Sequence, residues 1–341
     1  MACRLAWRRT WHWLALGLVM PLASLPGPAF AAPSFDCRLA RSAVERLICS
    51  DDTLAALDRD QTTRYESLRR AASSRGAGLL LVQQRAFLAS RAGCLEGLNG
   101  LDRDSRIDCL TRSYQEPTAG LEAQFRHSEG LMLEPRVSVR RIARLRVTEA
   151  DSHPWLTGTP AARVAAFNRF VSIRCDLGKG MFAAAPIELD AKPSGETRYD
   201  RFYEIHHMDG KLISIEMFMH HESYFGHGWR AEFALNWDLL LNRPIKVADL
   251  FRPDLDWSQA IMDHVRNWLR EDGSLGDPDS IASLGDPGDD ESWLFNDDGA
   301  VLLIGRGERS MAGASADVPI PYDVLIPFLR PDTPLLVRAA R

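Results

Sequence analysis

The sequence predicts a multidomain protein: a small all-α, disulfide-bonded helical domain, followed by an α+β domain with a mainly antiparallel sheet. Three observations carry this. Cys37, Cys49, Cys94 and Cys109 fall as two close pairs in the first third of the chain. The apolar residues around them recur at helical spacing. Beyond residue 134 the pattern changes to short alternating runs and turn dipeptides, with helix-like segments between them. A length of 341 residues suits two domains, and a hydrophobic share of 45% is enough for a core in each.

Residues 1–31 have the three parts of an export signal. Arg4, Arg8 and Arg9 form the positive region, Trp13 to Leu22 the apolar stretch, and Ala29-Phe30-Ala31 the cleavage site. Pro21, Pro26 and Pro28 interrupt the apolar residues, and no later run is long enough to span a bilayer. The expected address is periplasmic or secreted, with no transmembrane anchor after signal removal. In that oxidising setting, close cysteine pairs read as local disulfides. Losing the leader moves the formal charge from -5 to about -8, with 38 basic against 46 acidic side chains. Such a chain does not suit a nucleic-acid partner, which needs basic patches. The segment Glu271 to Asp298 holds ten acids and no Lys or Arg. It reads as a solvated Gly/Pro/Asp loop, and its field favours a cationic partner.

The first domain, expected over residues 33–128, is read helix by helix. Ser42-x-x-Glu45 is a capping box ahead of Leu47 and Ile48. Asp51, Asp52 and Thr53 offer caps for a helix carrying Leu54, Leu57, Tyr65 and Leu68. Residues 73–78 read as a break. A third helix sets Leu80, Phe87 and Cys94 on one stripe with Gln84 and Arg91 between them, and a fourth, from about Ser105, turns Ile107, Leu110 and Tyr114 inward. Each disulfide would close a short loop, worth on the order of 3 kcal/mol.

The stretch from Ser34 to Leu121 resembles the N-terminal domain of the LprI-type lysozyme inhibitors. The resemblance rests on Phe35, Cys37, Ile48, Cys49, Leu54, Leu57, Asp58, Gln84, Arg85, Leu88, Arg91, Cys94, Cys109, Leu110 and Tyr114. Together with the spacing it implies the pairs Cys37–Cys49 and Cys94–Cys109, with Cys175 left unpaired as a small buried residue. Two positions depart from the family pattern. Phe87 stands for the usual tryptophan, and Pro117 stands where the last helix normally continues. An interior proline costs about 3 kcal/mol, so that helix is expected to stop or kink there.

The second domain is expected over residues 134–341, with the boundary near Pro117, Gly120, Gly130 and Pro135. Arg136 to Thr148 alternates basic and apolar residues as an edge strand does. Ala161 to Ile173 has helical spacing, and Phe202–Met208, Asp209-Gly210 and Lys211–His221 read as a hairpin with a type I′ turn. Ala231–Trp237 is a strand, and Asp256 or Ser258 caps a helix through Ile261, Val265 and Leu269. Strands follow at Ala300–Ile304 and Asp317–Ile320. The segment 241–251, Phe295-Asn296-Asp297-Asp298-Gly299 and Val318-Pro319-Ile320-Pro321-Tyr322 resemble the C-terminal domain of PdaC-type deacetylase proteins and of the anti-sigma factor RsiV. In RsiV such a domain receives lysozyme. His227-Gly228-Trp229-Arg230 and Arg306-Gly307-Glu308-Arg309 depart from that family's motifs, so the resemblance implies the fold more than a ligand site.

Motifs of catalysis are missing: no Gly-x-Ser-x-Gly, His-Glu-x-x-His or phosphate loop occurs. Asp286, Asp289, Asp290 and Glu291 match no calcium-loop spacing. His206-His207 and His220-His221 lie on the two hairpin arms, but counting from the turn sets the first pair opposite Ile213 and Leu212, far from His220. No metal and no cofactor are therefore expected. Trp155, Trp237, Trp257, Trp268 and Trp293 read as core. Trp229, flanked by Gly228 and Arg230, reads as an exposed anchor. The expected function is that of a non-enzymatic cell-envelope protein that binds or inhibits a cationic lysozyme through Trp229, Asp289, Asp290 and Glu291. The alternative is an accessory or peptidoglycan-binding protein of cell-wall metabolism.

Overall fold

The helices of the first module begin where the sequence supplies capping oxygens. The computed structural model describes residues 32–96, 102–143, 146–175, 197–222, 229–273, 277–282, 285–305, 315–333 and 335; the leader lies outside them. The module comprises α1 (Ala43–Cys49), α2 (Asp52–Ala71), α3 (Ser74–Ser90), α4 (Gly93–Glu96) and α5 (Arg103–Gln124). Ser42 Oγ accepts from the Glu45 amide while the Glu45 carboxylate accepts from the Ser42 amide. Asp51, Ser73 and Asp102 cap α2, α3 and α5 by accepting from Leu54, Gly76 and Ser105. Such caps are worth about 1 kcal/mol each. Cys37 is bonded to Cys49 and Cys94 to Cys109, both with Cα atoms 5.7 Å apart. Cys175 is free and buried.

Val44, Ile48, Leu54, Phe87, Leu110 and Tyr114 form the module's apolar core. A buried polar hub sits beside it. The Asp58 carboxylate accepts from Ser34 N (2.9 Å), Ser34 Oγ (2.5 Å), Tyr114 Oη (2.7 Å) and Arg91 Nη1 (3.3 Å). Arg91 also donates to Tyr114 Oη. The hub ties the N-terminal strap, α2, the turn after α3, and α5 into one body. Burial pushes the Tyr114 phenol well above its ordinary pKa, so it remains a donor.

The second module starts one residue after α5. Strands β1 (Arg126–Ser128), β2 (Leu131–Ile142), β3 (Val147–Gly158), β4 (Thr197–Met208), β5 (Leu212–Glu222), β6 (Trp229–Asp238) and β7 (Arg243–Pro244) form a sheet in sequence order. Neighbours are antiparallel except β3 and β4, which run parallel from Val147↔Thr197 to Asp151↔Arg201. A parallel pair needs a crossover, and α6 (Ala161–Arg174) lies in it. The Asn168 side chain of α6 bonds both the amide and the carbonyl of Leu156. Phe167 and Val171 pack with Tyr203, Ile215, Met217 and Trp237.

Arg201 locks the seam. Its Nε donates to Asp151 Oδ1 at 2.7 Å and its Nη1 to the Cys175 carbonyl at the end of α6. On the outer side of the sheet, no strand among the described residues pairs with β2 beyond Leu133. Pro135, Arg136, Arg140 and Arg141 lie along that edge, and Arg75 donates to the Val137 carbonyl (2.7 Å).

A smaller antiparallel sheet, β8 (Trp293–Phe295), β9 (Gly299–Ile304) and β10 (Ala316–Pro321), joins the first with α7 (Val247–Leu250), α8 (Trp257–Asp272), α9 (Pro278–Ala282) and α10 (Tyr322–Leu325). Asp256 caps α8, and Gly273 ends it in the left-handed conformation. Ile261, Val265 and Leu269 meet Trp293, Phe295, Leu302 and Ile320. Asn236 Nδ2 donates to the Trp293 carbonyl and the Phe295 amide to Ser214 Oγ, fastening sheet to sheet.

Several expectations need correcting. α5 does not stop at Pro117 but runs on to Gln124. Leu110 and Tyr114 anchor it before the proline, and Tyr203 Oη holds the Gln124 carbonyl after it (2.6 Å). Tertiary packing on both sides outweighs the local cost of the proline. The break at residues 73–78 shrinks to Ala72-Ser73, with Gly76 and Gly78 inside α3. A feature not expected from the sequence is the β1–β2 hairpin, whose turn residues Glu129 and Gly130 both have positive φ. The alternation from Arg136 to Thr148 is two strands, β2 and β3, meeting at Ile142↔Val147. The hairpin at Asp209-Gly210 forms without a type I′ turn. Gly210 lacks positive φ, and the Asp209 carboxylate instead accepts from the Lys211 and Leu212 amides. Met132 and Phe125 pack on Tyr65, Leu68 and Leu80, so helices and sheet share a cluster.

Two stability predictions follow from this packing. Asp58→Ala leaves the buried Arg91 guanidinium without its carboxylate and should cost about 3–5 kcal/mol in urea unfolding; a loss below 1 kcal/mol would remove the hub from the account. Gly158 has φ of +116° and a Cβ there would sit 2.1 Å from the Gly130 carbonyl oxygen. Gly158→Ala should therefore cost about 1–3 kcal/mol by the same measurement.

Candidate functional site

The seam between β3 and β4 carries an open recess of about 340 Å³. The β2 strand contributes Val137; β3 contributes Ala150, Asp151 and Ser152. From β4 come Arg198, Asp200, Arg201 and Phe202, and from β5 His220. Register brings them together: Val137 is opposite Ser152, Ala150 beside Asp200, and Asp200 opposite His220. The Phe202 ring stacks on Phe218 at 4.8 Å, and His220 meets it edge-on at 5.1 Å.

The charges are paired within the recess. Arg198 Nε bonds both oxygens of Asp200 (2.8 and 2.6 Å); Arg201 bonds Asp151 behind it, on the buried face of the same strands, because neighbouring strand side chains alternate. Burial opposes ionisation of Asp151, but His153 and Arg201 outweigh it and hold the carboxyl below its usual range. Two buried polar atoms have no hydrogen-bond partner, Ser152 Oγ and His220 Nε2. They are not bonded to each other, so they do not form an activated serine. Burial, and then Arg230, holds the His220 imidazole below the usual histidine value; burial does the same to His221.

The residues singled out from sequence scatter. Trp229 opens β6 opposite His221, and its side chain lies outside the described residues. Asp289 is exposed and accepts from the Glu291 amide and Ser292 Oγ. Asp290 accepts from the Val247 amide at the start of α7, and Glu291 pairs with Arg174 of α6. Asp290 and Glu291 thus pin the segment before β8 as well as charging it, which a reading as a freely solvated loop had missed. His206 pairs with Glu216 and His207 with Asp297, apart from His220. Among the described residues no group of three His, Cys, Asp or Glu is placed to hold a metal ion. Asp58, Gln84, Arg91 and Tyr114, quoted for the first resemblance, turn inward: Gln84 bonds Gln61, and the others make the hub. The recess itself was missed. Its one signal in the sequence was the charged run Arg198-Tyr199-Asp200-Arg201 inside a strand, whose partner strand lies across the crossover.

No family model matches the chain, and no curated protein is similar to it. Solved structures of DUF3298 proteins are. A member from Bacteroides fragilis is 16% identical, covering 64% of this chain and 98% of its own, with a TM-score of 0.42. A DUF3298 protein from Pseudomonas aeruginosa PAO1 is 13% identical, covering 60% and 96%, with a TM-score of 0.43.

The electrostatics yield a pH prediction. His220 and His221 should titrate below 6.5, the ordinary histidine value, in histidine-detected NMR. Depressed folded values mean that the unfolded chain binds these protons first. Their contribution to stability is complete above pH 6.5 and is lost as pH falls through the folded values. Titration of either ring at or above 6.5 would contradict the burial described for it.

Proposed function

We propose that this chain is an exported, non-catalytic binding protein of the cell envelope that captures or inhibits a cationic lysozyme. The observation that carries the reading is the placement of charge. The segments flanking β8 expose Asp286, Asp289, Asp290, Asp297 and Asp298, and residues 271–298 contain no Lys or Arg. Opposite fields speed protein encounter and suppress wrong partners. The resemblance of the first module to LprI-type inhibitors supports the same partner. The committed ion pairs of the recess support a role without catalysis. A second reading, an accessory or peptidoglycan-binding protein of cell-wall metabolism, draws on that same recess at the β3–β4 seam.

Biosensor titration and a muramidase assay test the first reading. Raising salt from about 0.05 to 0.5 M should slow association several-fold as the Debye length falls well below 10 Å, while dissociation changes less. Because Asp290 and Glu291 also hold the local fold, the steering variant is Asp286→Asn with Asp289→Asn and Asp298→Asn, which should mimic high salt. Absence of binding to c-, g- and i-type lysozymes at about tens of micromolar, on the order of -6 kcal/mol, would reject lysozyme capture.

A further inference from the structure

We infer that the recess at the β3–β4 seam binds a neutral saccharide. This deepens the accessory reading, on which it rests for the source of the ligand, and is independent of lysozyme capture.

Three features select the ligand class. The first is the pair of unpartnered atoms, Ser152 Oγ and His220 Nε2. An unsatisfied buried polar group costs about 1–3 kcal/mol, which a ligand bond recovers. A hydroxyl both donates and accepts, so adjacent sugar hydroxyls can serve an imidazole acceptor and a serine together. Both atoms are closed to solvent as they stand, so engaging the ligand requires a turn about the Ser152 χ1 and the His220 χ2.

The second feature is charge. Asp200 already has Arg198, so an ionic ligand would enter a balanced site and pay for desolvation without gaining a counter-ion. That selects a neutral molecule. The third is the half-buried Phe202 ring, held flat by Phe218 and edge-on by His220. A fixed aromatic face next to paired polar groups suits a pyranose, which has apolar C–H faces and a rim of hydroxyls. The recess of about 340 Å³ lies at the small end of ligand sites, roughly 300–1,000 Å³.

The test is calorimetry and saturation-transfer NMR on the chain from Ala32, with N,N′,N″-triacetylchitotriose, maltotriose and trigalacturonate as probes. At least one neutral trisaccharide should bind in the millimolar range, and the preference between the two separates an N-acetylated glycan from a plain glucan. Phe202→Ala should weaken that binding up to about tenfold, the loss of one aromatic contact. Ser152→Ala, a change small enough to preserve the fold, should weaken it several-fold. No neutral trisaccharide bound by about 10 mM, near -3 kcal/mol, would overturn the inference. So would tighter binding of trigalacturonate, or binding unchanged in both variants. Co-sedimentation with cell-wall sacculi tests the accessory reading separately: sedimentation without trisaccharide binding sinks the saccharide site and leaves that reading standing.

Discussion

The contact between Arg201 and Asp151 sits where the main sheet changes from antiparallel to parallel pairing. A hairpin turn cannot make that join, so the chain leaves the sheet through α6 and returns as β4. Only 4% of the Arg201 side chain is exposed, and a buried guanidinium is tolerable only when its donors are used. One goes to Asp151 on β3, one to the carbonyl of Cys175 where α6 ends, and His153 supports Asp151 from two residues along. The contact thereby fixes strand, returning strand and crossover helix together. It also sets the walls of the recess, since Ser152 and Phe202 are its immediate neighbours in sequence.

The helical module is organised by a comparable device at Asp58. Its carboxylate gathers donors from Ser34, Arg91 and Tyr114, while the two disulfides tie down the chain to either side. The residues that make the module resemble LprI-type inhibitors are thus mostly those that build it. Arg85 and Leu88 are exceptions on the exposed side of α3, where Val82 also faces outward.

The helices and most strands were legible in the sequence because their signals are local. Capping boxes, the spacing of Ile261, Val265 and Leu269, and the continuous apolar run Ala300–Ile304 each act within a few residues. What was not legible depended on distant partners. Pro117 sits in a helix because Tyr114 and Gln124 are held from outside it. Arg136–Thr148 looked like one strand because the basic-apolar pattern of β2 continues in sequence through Arg144-Leu145-Arg146 up to Val147, and residues 143–146 lack an Asn-Gly or Asp-Gly signal. The recess was hidden for the same reason: its β3 and β4 walls are separated by an entire helix in sequence. The acidic residues before β8 were visible as charge, but their second role required knowing that α6 and α7 lie beside them.

Among the described residues, the outer edge of β2 beyond Leu133 pairs with no strand, and this has a consequence for life at high concentration. An unpaired strand invites a second molecule to extend the sheet, and chains that accept the invitation grow into fibres. Pro135 removes one donor from that edge, and Arg75 already occupies the Val137 carbonyl. Arg136, which lies over the Trp155 ring, and Arg140, which pairs with Glu149, add long side chains along the same edge. The border of the sheet thus carries the devices, a proline and long charged side chains, with which natural edges discourage that growth.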